Sequence, residues 1–278
     1  MNAVLEVKPT VTVTQAQIDF FHTNGFLALD AITTRADVER LQSTYDRIFA
    51  QKAGREEGNQ FDLGGSDEDG KQEGLPQILN PMKYAPELAD MLARVNARAV
   101  AQQLLGEGCM DRGSHAILKP AGHGVPTPWH QDEAYWGPDL VYRSLSVWIP
   151  LQDATVENGC LWFVPGSHKL EILPHRCIGG DTRIHGLELI DAEQHTRNAV
   201  ACPIPAGGAT FHLNGTLHYA GPNRTNQPRR ALILGFGLDA KKRETPRRFP
   251  WNEVKAAPRQ ERAKQFQEKA KQVPAPAK

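Results

Sequence analysis

The stretch Trp129-His130-Gln131-Asp132 is the starting point for interpreting the rest of the chain. Alternate residues of an extended strand point to the same face, so His130 and Asp132 would project together. An imidazole nitrogen and a carboxylate oxygen on one strand can bind adjacent positions of one metal ion. One further histidine would complete a 2-His-1-carboxylate facial triad, which leaves positions open on a non-haem Fe(II) ion. A polar edge strand has the same pattern, so residues further along the chain are needed to distinguish a metal site from such a strand.

Two downstream residues favour the metal site. His218 follows His130 by 218 − 130 = 88 residues, which allows it to come from a distant strand. Arg229 follows His218 by 229 − 218 = 11 residues and precedes the apolar stretch 231–236. A guanidinium inside a barrel needs a carboxylate partner, because an unpaired buried charge is very costly. The forked geometry of arginine suits the distal carboxylate of a 2-oxoacid.

Two neighbouring residues compete for these roles. His212 lies within a predicted strand, and we expect it to pack or to form hydrogen bonds rather than to bind a metal. Arg230 follows Arg229 directly, and strand alternation would turn it to the opposite face. His168 ends a turn motif, and we expect a structural role for it.

Composition excludes several classes of protein. The chain has 278 residues, and 32 Lys and Arg balance 32 Asp and Glu, so no strong overall field favours nucleic acid or an anionic membrane. The four cysteines are widely spaced without a Cys-x-x-Cys pair, which argues against a zinc site or a disulfide framework. The first residues lack a signal-peptide pattern, and no apolar stretch reaches the roughly 18 residues of a membrane span. We therefore expect a cytoplasmic protein.

Helices are predicted before strands. Residues 1–13 suggest a loose arm, and Thr14 with Gln17 forms a capping-box signature for a helix that stops at Gly25. A strand at 26–29, a helix from about Arg35 and a helix over 86–105 follow. Later strands are predicted near 114–119, 129–133, 143–149, 161–164, 201–204, 208–213 and 230–238.

Two long polar stretches, 52–74 and 169–200, have no convincing strand pattern. Loops of this length in a compact domain are usually functional or mobile. We expect these stretches to supply a movable cover over the metal site. The end of the chain is predicted to be a basic helix followed by a Pro-Ala-rich terminus.

Five motifs in this order resemble the phytanoyl-CoA dioxygenase family of Fe(II)/2-oxoglutarate-dependent oxygenases. They are Thr127-Pro128-Trp129-His130-Gln131-Asp132, Val147-Trp148-Ile149-Pro150-Leu151, Glu157-Asn158-Gly159-Cys160-Leu161, Pro165-Gly166-Ser167-His168, and His218-Tyr219-Ala220-Gly221-Pro222-Asn223 with Arg229. The resemblance implies one domain over 1–278, mainly β with flanking helices. It would consist of N-terminal helices at 14–106, a double-stranded β-helix (jelly roll, cupin-like) at about 113–238, and a basic helical tail at 239–278.

The resemblance also implies the site and its chemistry. Iron would bind His130, Asp132 and His218, and Arg229 would hold the far carboxylate of 2-oxoglutarate. The same pocket would be lined by Trp148, with Thr127 and His115 as further candidates. The implied reaction is hydroxylation by dioxygen with release of succinate and CO2, and desaturation, epimerisation or ring formation stay open. The chain shows no concentrated basic cluster near the site for a CoA moiety, so we expect a small metabolite as the substrate. The alternative is a cupin-like isomerase or hydrolase that needs no 2-oxoglutarate, and Arg229 is the feature against it.

Overall fold

A computed structural model describes residues 7–272 of the chain. Across these residues the helices are α1 (Gln15–Asn24), α2 (Arg35–Ala50), α3 (Leu92–Leu105), α4 (Ala192–His195), α5 (Pro250–Glu253) and α6 (Pro258–Gln272). The strands are β1 (Phe26–Leu29), β2 (Gln60–Asp62), β3 (Pro76–Leu79), β4 (Met110–Lys119), β5 (Thr127–His130), β6 (Leu140–Val141), β7 (Ser144–Pro150), β8 (Leu161–Phe163), β9 (His175–Cys177), β10 (Leu187–Leu189), β11 (Val200–Cys202), β12 (Ala209–Leu213), β13 (His218–Ala220), β14 (Arg229–Gly237) and β15 (Lys241–Lys242).

Most of these strands form two antiparallel sheets that share one hydrophobic cluster. The larger sheet has the order β1-β12-β7-β14-β4-β3-β2, and the smaller sheet has the order β11-β8-β13-β5. Sheet neighbours come from distant parts of the sequence, since β14 pairs with both β4 and β7. The predicted mainly β class and jelly-roll core are therefore confirmed.

The two faces of the larger sheet pack against different layers, and β7 shows why. All of its residues are buried. Leu145, Val147 and Ile149 join a cluster with the N-terminal helices, whereas Trp148 joins the cluster between the sheets. A strand covered on both faces is expected to be apolar throughout. Ser146 interrupts this pattern on the inner face and points to a polar region between the sheets.

Three strands of the larger sheet precede the predicted core. Strand β1 pairs with β12, β3 pairs with β4, and β2 pairs with β3. The sheet therefore begins well before residue 113, and strand pairing that spans so much sequence gives no local signal. The division of a single domain at 106 and 238 remains a prediction.

The N-terminal region follows the sequence closely, with two differences. The capping box of Thr14 is present. The predicted helix over 86–105 is interrupted, because Met91 has an extended backbone (φ −70°, ψ 139°) and the α-helix starts after it. The predicted loose arm is docked at its end, since the Val13 N–H donates to the Gln103 side chain. Residues 1–6 and the Pro-Ala-rich terminus at 273–278 lie outside the described residues.

The polar stretches 52–74 and 169–200 contain strands that the sequence pattern did not predict. The first stretch contains β2, and the second contains the antiparallel pair β9 and β10. The stretches contact each other, because the Gly186 N–H donates to the Leu63 carbonyl at 3.1 Å. Strands of three residues are too short to show a period-2 pattern.

The C-terminal helix α6 packs against the first polar stretch. Arg262 forms an ion pair with Asp67, whose side chain is 3% exposed. The Arg259 guanidinium lies 4.5 Å from the ring centroid of Phe61. The predicted basic tail is therefore a docked element. Within residues 7–272, none of the helices combines the length and the apolar character that crossing a membrane requires.

Candidate active site

Two strands of the smaller sheet bring two histidines side by side. Strand β5 ends at His130, β13 begins at His218, and the register places these residues directly opposite each other. The ring centroids are 4.1 Å apart, and both residues are buried. The sequence analysis expected the two histidines to share one metal, but strand β13 has three residues and was not predicted as a strand, so the register of this pair was not anticipated.

Backbone contacts determine which nitrogen of each imidazole carries the proton. His130 Nδ1 lies 2.8 Å from the Pro128 carbonyl oxygen, and His218 Nδ1 lies 2.9 Å from that of Thr216. A carbonyl oxygen only accepts hydrogen bonds, so each Nδ1 carries a proton, and in the neutral form of each ring the lone pair is on Nε2. Burial, followed by the neighbouring His130, holds the pKa of His218 well below its usual value. Neutral imidazole is the form that binds metal ions.

Asp132 completes the cluster from outside a strand. The strand predicted over 129–133 ends at His130, and Asp132 begins a 3₁₀ turn. Gln131 between them is extended (φ −115°, ψ 130°), so alternation still turns both side chains to one side. Asp132 Oδ1 lies 3.5 Å from Nε2 of His130 and 3.5 Å from Nε2 of His218. One potential ligand atom from each residue lies within 4.8 Å of the others, so the three side chains could hold a metal ion.

The carboxylate of Asp132 is ionised. Burial alone would raise its pKa, but His218, His130 and His212 outweigh this effect and bring the pKa well below its ordinary value. A carboxylate and two neutral imidazoles carry a net charge of about −1, and deprotonated ligands of this kind suit a divalent cation.

A cavity of about 350 Å³ is lined by these three residues and by Arg229. Arg229 is 1% exposed, and its Nε and Nη1 have no hydrogen-bond partner among residues 7–272. Burial lowers its pKa to about 10, so the guanidinium remains charged at neutral pH. Since an unpaired buried cation is costly, this part of the cavity suits an anionic ligand.

A second buried cation beside Arg229 is already satisfied. Lys119 lies opposite Arg229 in the pairing of β4 with β14. Its Nζ donates to three backbone carbonyl oxygens, at 2.9, 3.0 and 2.6 Å, from Val125, Ala220 and Gly221. Arg229 is therefore the cation of this pair with donors available to a ligand.

The three predicted cosubstrate residues all line the cavity. These are Trp148, Thr127 and His115. The Arg229 Cζ lies 5.3 Å from the Trp148 ring centroid, and Trp148 also packs in the core between the sheets. Burial lowers the pKa of His115 to about 4, so its ring is neutral at pH 7. Their contacts with a cosubstrate remain predictions.

The two rival residues lie in different places: His212 lines the cavity beside the metal cluster, whereas strand alternation turns Arg230 away from the cavity. The His212 ring is 4.4 Å from the His218 ring, and its Nε2 is 3.4 Å from Asp132 Oδ2. His212 nevertheless falls outside the group whose ligand atoms converge. Arg230 points towards α2 and pairs with Asp46 at 2.7 Å.

Two site residues were missed by the sequence analysis. Ser146 Oγ donates to Asp132 Oδ2 at 2.6 Å, and Asn214 Nδ2 donates to the same oxygen at 3.1 Å. The available signal was a pair of serines, Ser144 and Ser146, in an otherwise apolar strand, and this pattern does not identify the carboxylate that Ser146 contacts.

A His-Asp-His cluster in a jelly roll, joined by one cavity to an arginine that lacks a partner among residues 7–272, defines a non-haem iron oxygenase of the 2-oxoacid-dependent class. The model of the family "Phytanoyl-CoA dioxygenase (PhyH)" matches residues 21–231. The chain belongs to this family, as the five sequence motifs indicated.

Solved structures and curated relatives agree with this assignment. EvdO2 from Micromonospora carbonacea var. aurantiaca is 41% identical, with a TM-score of 0.76 over 88% of this chain and 98% of that one. Its complex with 2-oxoglutarate is 38% identical, with a TM-score of 0.74 and the same coverage. A probable alpha-ketoglutarate-dependent hypophosphite dioxygenase of Stutzerimonas stutzeri is 27% identical over 58% of this chain and spans 57% of its own length. An Arabidopsis thaliana phytanoyl-CoA dioxygenase is 24% identical over 81% of this chain and 89% of its own.

Proposed function

We propose that the protein is an Fe(II)- and 2-oxoglutarate-dependent dioxygenase that hydroxylates a small metabolite, releasing succinate and CO2. One observation carries the proposal: His130, Asp132 and His218 converge on a cavity that also contains the Arg229 guanidinium, whose Nε and Nη1 have no partner in the described part of the chain. The 2-oxoglutarate complex of the similar EvdO2 supports the choice of cosubstrate.

The three converging side chains would hold the iron. Bound iron supplies the activation of dioxygen that is coupled to oxidative decarboxylation of 2-oxoglutarate. Arg229, whose Nε and Nη1 have no hydrogen-bond partner among residues 7–272, would bind the C5 carboxylate through charge-assisted hydrogen bonds from its guanidinium. The Trp148 ring beside this guanidinium would shape the same pocket.

Thr127 and His115 would orient the cosubstrate between the metal site and Arg229. Thr127 opens strand β5, which carries His130, so its hydroxyl is close in sequence to the metal site. His115 is neutral, so its ring can both donate and accept a hydrogen bond. These roles follow from the position of both residues on the cavity wall.

The polar stretches 52–74 and 169–200 would cover the site, and each contributes a residue to the cavity. Leu63 comes from the first stretch and His185 from the second. The hydrogen bond from Gly186 to Leu63 joins them beside this wall. Exclusion of water by such a cover protects oxidative chemistry from side reactions.

The substrate side of the cavity is mainly aromatic and neutral polar. Tyr135, Trp136, Gln77 and Asn80 line the cavity together with Arg112, which pairs with Asp239. The balanced charge of the chain supports a small molecule rather than nucleic acid or a membrane as its partner. We place the protein in the cytoplasm, which is supported by four free thiols at Cys109, Cys160, Cys177 and Cys202.

The cupin-like isomerase or hydrolase is not favoured. Such an enzyme has no use for a buried arginine whose donors lack partners among the described residues. The relatives named as 2-oxoglutarate-dependent dioxygenases point the same way.

Anaerobic titration tests the proposal. Adding 2-oxoglutarate to the Fe(II) protein should produce a metal-to-ligand charge-transfer band, and oxygenated samples should release succinate only with iron. His218→Ala should remove both signals, whereas His212→Ala should retain iron binding. A protein that loses iron through His212→Ala but not through His218→Ala would contradict the ligand assignment. Absence of the band in the wild type would refute the use of 2-oxoglutarate.

A further inference from the structure

The two oxygens of Asp132 have different surroundings. Oδ1 faces Nε2 of His130 and of His218, at 3.5 Å each. Oδ2 faces away from them and accepts hydrogen bonds from Ser146 Oγ at 2.6 Å and from Asn214 Nδ2 at 3.1 Å. We call Ser146 and Asn214 the carboxylate clamp.

The hydrogen bonds within the carboxylate clamp fix the direction in which the Ser146 hydroxyl donates. Asn214 Nδ2 also donates to Ser146 Oγ at 2.8 Å, so the Ser146 hydroxyl proton is directed to Asp132. Both clamp residues are buried, at 6% and 3% exposure, where hydrogen bonds to a charged acceptor are strong. His212 Nε2 lies 3.4 Å from the same oxygen but forms no hydrogen bond with the described residues.

The clamp is supplied by the opposite sheet. Ser146 belongs to β7, and Asn214 directly follows β12, both in the larger sheet. Asp132 follows β5 of the smaller sheet and lies in a 3₁₀ turn, outside the strand pairing. Its carboxylate is therefore oriented by residues across the barrel, in addition to its own backbone.

We propose that the carboxylate clamp keeps Asp132 a monodentate ligand, and so keeps the coordination position that dioxygen needs available. A carboxylate oxygen has two lone-pair sites, and the clamp occupies both on Oδ2. Oδ1 is left to bind the metal. This inference rests on the proposed function.

The number of coordination positions on the iron explains why monodentate binding by Asp132 matters. A facial triad with a monodentate carboxylate leaves three of six positions open. The carboxylate and keto oxygens of 2-oxoglutarate take two, and one remains for dioxygen. If Oδ2 also bound the metal, no coordination position would remain for dioxygen once 2-oxoglutarate is bound. Ser146 and Asn214 are thus positioning residues that act through Asp132.

Nitric oxide, a spectroscopic substitute for dioxygen, reports on the remaining position. We would titrate it into the anaerobic protein with Fe(II) and 2-oxoglutarate, and follow the electron paramagnetic resonance signal of the iron–nitrosyl complex. Ser146→Ala and Asn214→Ala should still bind Fe(II) and 2-oxoglutarate. Their nitric oxide affinity should fall, and we expect a loss of about 10- to 100-fold, which is the range by which mutation of the outer partners of metal ligands changes metal affinity or activity.

Ser144→Ala is the matched control. Ser144 lies two residues from Ser146 on the same strand and is buried, but its Oγ has no hydrogen-bond partner among residues 7–272. This variant should bind nitric oxide like the wild type, and Ser146→Thr, which keeps the donor, should restore affinity relative to Ser146→Ala. Equal affinity in Ser146→Ala, Asn214→Ala and the wild type would overturn the inference, as would an equal loss in Ser144→Ala. Failure of the wild type to bind Fe(II) or 2-oxoglutarate would instead refute the proposed function.

Discussion

Replacing Arg229 with methionine should separate cosubstrate binding from folding. The guanidinium is 1% exposed and has two donor nitrogens without partners among residues 7–272. Methionine keeps much of the aliphatic stem and removes the charge. We therefore expect Arg229→Met to impair 2-oxoglutarate binding while leaving the ligand-free protein folded.

The expected change in stability follows from the pKa of Arg229. Burial lowers this pKa from its ordinary value to about 10. At about 1.4 kcal/mol per pKa unit, this lowering corresponds to about 3 kcal/mol against the charged form in the folded state. Removing the charge should therefore raise the free energy of unfolding of the ligand-free protein by up to about 3 kcal/mol. Packing defects around methionine would reduce this gain.

The effect on binding has the opposite sign. Loss of one partner from a buried, hydrogen-bonded charge pair costs about 2–5 kcal/mol. This range corresponds to about 30- to several-thousand-fold in 2-oxoglutarate affinity. Arg229→Lys keeps the charge but loses the forked geometry, so it should weaken binding without abolishing it.

Two measurements on the same variants test this reasoning. Urea denaturation of the metal-free protein gives stability, and anaerobic titration with Fe(II), followed by the charge-transfer band, gives 2-oxoglutarate affinity. Arg230→Met is the control, because Arg230 pairs with Asp46 on the outer face and should affect binding little. An Arg229→Met protein that is clearly destabilised but binds 2-oxoglutarate normally would show that Arg229 is structural.

Three further predictions concern other parts of the fold. Arg262→Ala removes the ion pair with buried Asp67, so limited proteolysis should cut the adjacent polar stretch faster; unchanged cleavage would contradict its docking by α6. Burial lowers the pKa of His175 from 6.5 to about 4, and its Nε2 accepts the Gln131 N–H at 3.2 Å. As the pH falls, His175 is protonated in the unfolded chain before it is protonated in the folded protein, so the free energy of unfolding should fall between about pH 6.5 and 4. His175→Gln should reduce that fall by up to about 3 kcal/mol, measured by denaturation at each pH. Thr14→Ala removes the helix cap, which should lower the free energy of unfolding by about 1 kcal/mol in urea.

Local periodicity accounts for what sequence reasoning predicted well. The opposite directions of Arg229 and Arg230 follow from strand alternation, and the start of α1 follows from the cap at Thr14. The chemistry of the cluster followed from residue type, because few side chains other than His and Asp suit such a metal site. These features depend on neighbours within a few residues, so a single sequence contains them.

The tertiary structure alone decided how the site residues meet. His130 and His218 face each other through the register of two short strands, 88 residues apart by 218 − 130. Ser146 and Asn214 reach Asp132 across 14 and 82 residues of sequence. Such contacts depend on strand register and sheet packing, in which a shift of one residue would turn every side chain to the other face. The sequence therefore determined the ligand types and their local directions, and the packing of the two sheets decided how the carboxylate among them is held.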